Sequence, residues 1–147
     1  ILMIKIIKPI LILLILLNLT NSVLAENLFF EEGKKKYIEK RYEESKFLLQ
    51  RSIVFNPKNT YSYLYLAKIY NFEENKREEE KNINTVLLLD PKNEEANYFL
   101  MKIELKKSNY SKVKQLAENF SKICNKLCDQ KTLILESLKN LEPKNES

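Results

Sequence analysis

The 147-residue chain has no histidine, no tryptophan, a single glycine (Gly33), four prolines and two cysteines. Each shortage closes off a class of chemistry. Without histidine the usual general base and the commonest metal ligand are missing, so neither a Ser-His-Asp nor a Cys-His arrangement can be written. One glycine is too few for a phosphate-cradling P-loop or a dinucleotide fingerprint. So little glycine and proline also leaves few turn residues for a many-stranded sheet, and an all-α chain is expected. Carboxylates side by side, such as Glu31 and Glu32 or Glu78 to Glu80, do not form an acid–base pair, because adjacent helix residues point apart. They read as solvated faces, and neither enzymatic activity nor a cofactor is expected.

With 44% hydrophobic and 31% charged residues, the chain has apolar material for one modest domain or a short array. Its first 25 residues differ in kind. From Met3 the order is MIKIIK, an apolar run from Pro9 to Leu17, then NLTNSVLA, the succession of cationic segment, greasy core and small-residue cleavage site that marks an export signal. Val23 and Ala25 place cleavage between Ala25 and Glu26, giving a periplasmic or secreted protein. The alternative is an uncleaved membrane anchor, although the charge-free run is shorter than the ~20 residues that span a bilayer. The leader takes Lys5 and Lys8 and no acid, leaving 23 basic against 20 acidic residues and a balance of +3. Such a mild, mixed charge fits a soluble surface and lacks the clustered basic stripe of a nucleic-acid binder.

Periodicity organises the remainder. Tyr63, Leu66, Ala67 and Tyr70 share one helical face, and Ile83, Val86, Leu87 and Leu89 share another before Asp90 and Pro91 stop the helix. Pro57 lies 34 residues before Pro91, in NPKN against DPKN, a period that marks stacked helix pairs. Repeats are expected at about 26–59, 60–93 and 94–125, with a capping helix at 129–141 and a tail at 142–147. Asn75 with Glu78 resembles a capping box, and Asp129 is the expected N-cap of the last helix.

On these residues the chain resembles the tetratricopeptide repeat (TPR) family over roughly 27–125. The second unit matches at Tyr63, Leu66, Ala67, Tyr70 and Pro91, the first at Phe29, Gly33, Tyr42 and Pro57, and the third at Leu100 and Tyr110. The resemblance implies an all-α solenoid of about three helix pairs with a C-terminal capping helix. It departs from the family where a buried alanine is normal in each second helix: Ser45, Glu79 and Val113 stand there, and Glu79 implies loose packing or a shifted helix. Met101 replaces a small residue and Asn125 a proline.

The family works through protein–protein contacts, and its first helices line a concave groove. Lys34, Lys68 and Lys102 recur at the 34-residue period on those helices, with Phe30, Leu64 and Tyr98 four residues earlier. Together with Tyr37, Tyr61 and Phe72 they form the expected peptide-binding groove, an apolar rail beside a cationic one that favours acidic or carboxylate-ended partners. The middle unit supplies its centre through Leu64, Lys68 and Phe72. The pattern of the carboxylate clamp that captures chaperone tails is absent: Phe30 stands where that clamp has a lysine. Cys124 and Cys128 in an exported chain favour a disulfide, which requires a helix break at the intervening NKL, over a zinc site for which no further Cys or His exists. The other reading is two reduced apolar side chains.

Overall fold

The structure, a computed structural model, describes residues 28–141. The expected leader and its cleavage point, and the tail from 142, lie outside the described residues. Within them are seven helices and no strand: α1 (28–38), α2 (Tyr42–Phe55), α3 (Thr60–Phe72), α4 (Lys76–Leu89), α5 (Glu94–Lys106), α6 (Tyr110–Ile123) and α7 (Cys128–Leu141).

Two recurring devices set these boundaries. The first is the asparagine of the PKN segments at 57–59 and 91–93, whose side-chain oxygen caps the following helix. Asn59 accepts from the Ser62 N–H at 3.1 Å and Asn93 from the Ala96 N–H at 3.0 Å, satisfying an otherwise orphaned donor. Asn75 caps α4 in the same way, accepting from the Glu78 N–H at 3.2 Å.

The second device ends α1, α3 and α5. Lys40, Glu74 and Ser108 all have positive φ, at 59°, 58° and 61°, and are spaced by 34 residues. Each is followed by a residue whose N–H reaches five positions back: Arg41 to Lys36, Asn75 to Tyr70 and Asn109 to Glu104. Each also donates three positions back, Lys40 to Tyr37, Glu74 to Asn71 and Ser108 to Leu105. These are Schellman closures, normally built on glycine. Their regular recurrence places a helix–turn–helix at the same point of every repeat.

The chain divides after Ile69 into two units. In the first, α1 meets α2 through Gly33. A Cβ on Gly33 would stand 3.0 Å from Leu49 Cγ, and the Ser45 hydroxyl donates to the Gly33 carbonyl at 2.8 Å. Buried Ser52 accepts from buried Ser62 at 3.0 Å. The inward face of α2 is thus Ser45, Leu49 and Ser52. Phe55 is exposed and stacks on Phe29.

In the second unit α5 packs on α4 and α6, and α7 covers α5 and α6. The core there joins Met101, Val113, Ala117 and Phe120 to Ile134 and Leu138 of α7. Loose packing at Glu79 is not found. That side chain is 3% exposed and accepts from Asn71 Nδ2 at 2.7 Å, a polar replacement for the small residue of the repeat pattern. Asp129 is not a cap: α7 starts one residue earlier, which puts Asp129 in the first turn, where the helix dipole favours its charge.

Candidate interaction site

In the first unit the first helices of two successive repeats, α1 and α3, bring aromatic rings together. The Phe30 ring lies 6.1 Å from both Tyr61 and Tyr65, and Tyr37 meets Tyr65 edge-on at 5.1 Å. The Lys68 ammonium sits 4.8 Å above the Tyr65 ring, within the range of a cation–π attraction. Four expected residues, Phe30, Tyr37, Tyr61 and Lys68, therefore converge around Tyr65, which had no place in the sequence expectation. Its signal was the position three before a periodic lysine, which carries Glu31, Tyr65 and Phe99 in turn.

The period also explains why the three lysines are not equivalent. Lys34 has Glu31 in that place and pairs with it at 3.8 Å. This exposed pair contributes little to stability but offsets the lysine's charge. In the second unit the Lys102 ammonium lies 5.5 Å from the rings of both Tyr98 and Phe99, the counterpart of Lys68 over Tyr65. Phe72, at the end of α3, is 67% exposed.

Leu64 needs correcting. It is 3% exposed and belongs to the core with Leu66, Ala67 and Ile69. A helix packed on more than one side is apolar around much of its circumference, so spacing alone assigned Leu64 to the wrong side. Tyr61, 60% exposed, supplies the accessible surface of α3 near its start.

The second unit holds another constellation. Cys124 and Cys128 form a disulfide with their Cα atoms 5.2 Å apart. The necessary break is present, because α6 ends at Ile123 and α7 begins at Cys128. The backbone N–H groups of Asn125, Lys126 and Leu127 all turn toward the Glu94 carboxylate at the start of α5, the latter two at 2.8 Å. Partial burial pushes this carboxyl up. The N–H groups of Leu127, Asn125 and Lys126, with the Lys126 charge, outweigh that effect and hold it below its ordinary 4.5.

No family profile and no curated protein matches the sequence. Solved structures do match in fold. The TPR domain of Arabidopsis OM64 has a TM-score of 0.71 at 16% identity, over 81% of this chain and 98% of that one. The first TPR of Spaghetti (RPAP3), bound to the HSP90 peptide SRMEEVD, has a TM-score of 0.68 at 15% identity, over 78% and 90%. The second TPR domain of human RPAP3, in complex with the HSP70 peptide SGPTIEEVD, has a TM-score of 0.65 at 20% identity, over 82% and 98%. The chain has the all-α fold of a TPR domain.

Proposed function

We propose that this chain is a TPR-family interaction module that holds a partner peptide and carries out no reaction of its own. The carrying observation is the convergence of Phe30, Tyr37, Tyr61 and Tyr65 on α1 and α3, with the Lys68 ammonium over the Tyr65 ring. Ring faces give apolar contact area at low entropic cost, tyrosine hydroxyls can bond peptide backbone, and an ammonium held over a ring can turn to a carboxylate. Peptide binding by proteins of the same fold, one with an HSP90 peptide and one with an HSP70 peptide ending in EEVD, supports the reading. The favoured partner is a protein segment with acidic or free carboxylate ends.

The leader at 1–25 supports export to the periplasm or beyond, with the protein serving as a scaffold there. A second reading keeps the leader attached, making the protein a membrane-tethered factor in envelope assembly. No helix among the described residues is long and apolar enough to cross a membrane, and this second reading places the tether in the leader. N-terminal sequencing of protein recovered from cells separates the two: a mature start at Glu26 supports export with cleavage, and an intact leader supports the tether.

Fluorescence anisotropy with peptides of one core sequence, carrying either an acidic free-carboxylate end or a basic amidated end, tests the binding reading. Preference for the acidic set, lost when Lys34, Lys68 and Lys102 are replaced together by Glu, is expected. Equal binding of both sets, or full binding by the substituted protein, would remove the lysines from the account.

A further inference from the structure

Two cysteines alone make a poor metal site, but folding adds a third donor to them. A carboxylate oxygen of Glu94 and the two Sγ atoms of Cys124 and Cys128 all lie within 4.8 Å of one another. We propose that the reduced protein binds one zinc ion through Cys124, Cys128 and Glu94, and that disulfide formation abolishes this site.

The geometry needs only local change. Zinc takes thiolate sulfur at about 2.3 Å and carboxylate oxygen at about 2.0–2.2 Å, so neighbouring donors around one ion stand about 3.3–3.8 Å apart. The Cα atoms of the cysteines, 5.2 Å apart across the break between α6 and α7, allow that separation by side-chain rotation. Glu94 is positioned independently: the N–H groups of Asn125, Lys126 and Leu127 hold its carboxylate against the loop that carries both sulfurs. The three N–H groups bond Oε1 and only that of Lys126 also reaches Oε2, at 3.2 Å, so Oε2 can offer a lone pair to a cation while Oε1 keeps the loop.

Electrostatics supplies the demand. Cleaving the disulfide and ionising both thiols puts two thiolates beside a carboxylate, and a divalent cation relieves their mutual repulsion. Among the described residues no fourth His, Cys, Asp or Glu joins the group, so the fourth position of the tetrahedron goes to water or a small ligand. In a cell, a dithiol reductant opens the site. Its two thiols become a disulfide as the Cys124–Cys128 bond becomes two thiols, and zinc uptake then releases two protons. The corner between α6 and α7 is thus fastened by a disulfide in an oxidising compartment and, together with Glu94 of α5, by zinc in a reducing one.

The test uses the full chain, reduced with a phosphine, freed of reductant without air and titrated with cobalt(II) as a spectroscopic stand-in. One equivalent producing thiolate-to-cobalt charge transfer, displaced by zinc and absent from the oxidised chain, is the expected result. Glu94→Gln keeps an acceptor for the loop, and circular dichroism checks that it keeps its helices. Losing even an outer-shell partner weakens metal affinity by about 10–100-fold, so this variant should bind at least about tenfold more weakly. Cys124→Ser should lose the charge-transfer signature of a two-thiolate site. Absence of that band in the reduced wild type, or undiminished affinity in a folded Glu94→Gln protein, would overturn the proposal.

Discussion

Asn71, in the last turn of α3, donates its side-chain amide to the buried carboxyl of Glu79 in α4 at 2.7 Å. Glu79 occupies the place of a small apolar residue, so its burial depends on this donor. Among the described residues no buried side-chain nitrogen or oxygen lacks a partner. Leaving one unsatisfied costs about 1–3 kcal/mol. Asn71→Ala is therefore expected to lower unfolding free energy by about that amount in urea titrations. Adding Glu79→Ala should recover part of the loss, because no polar group then remains without a partner. Additive losses would show that the two side chains are not coupled.

Positive φ at Lys40, Glu74 and Ser108 strains a residue that has a Cβ, by about 1–2 kcal/mol. Glycine removes this strain but gives back some stability through the greater freedom of the unfolded chain. Lys40→Gly, Glu74→Gly and Ser108→Gly are each expected to raise stability by about 0.5–1 kcal/mol, seen as a higher melting temperature by circular dichroism. Val at the same positions should lower it.

Gly33 shows the opposite balance. Its φ is not positive, so alanine would improve helix propensity by about 1 kcal/mol. The added Cβ, however, would stand 3.0 Å and 3.1 Å from Leu49 Cγ and Cδ2 and 3.3 Å from Leu48 Cβ. Leu49 is fully buried and cannot retreat, and overpacking of this kind costs about 1–3 kcal/mol. Gly33→Ala is expected to destabilise by about 1 kcal/mol and Gly33→Val by more. A double-mutant cycle with Leu49→Ala should show coupling of favourable sign.

Glu94 links stability to acidity. Its folded carboxyl titrates below the ordinary 4.5, so on acidification the unfolded chain takes up the proton first. The stabilisation is fully present above the ordinary value and is lost as pH falls through the folded one. Denaturant midpoints between about pH 7 and pH 3 should fall more steeply for the wild type than for Glu94→Gln. Parallel profiles would show that the three backbone N–H bonds do not favour the charged form in solution.

The helix pairs were legible because proline and a 34-residue period mark repeats regardless of what the helices pack against. Leu64 shows the limit of that reading. Periodicity counts the apolar positions of α3, but only the packed helix decides that Leu64 goes inside while Tyr61 and Tyr65 make the aromatic face. Glu79 looked like a defect because its donor, Asn71, lies across a turn that spacing does not close. The Schellman turns were hidden because their usual mark, glycine, is missing from all three. The position of Glu94 against the cysteine loop was hidden from spacing because it depends on a contact 31 residues away.

The central claim, that the α1 and α3 aromatic face holds the partner, is tested most directly by site-specific photocrosslinking in cells. A photoreactive phenylalanine replaces Tyr61, and a control replaces Leu88, which is 82% exposed on α4. The account predicts one discrete crosslinked species from position 61 that is absent from position 88 and disappears with Lys68→Glu. The same species from position 88, or one from position 61 unaffected by Lys68→Glu, would contradict it.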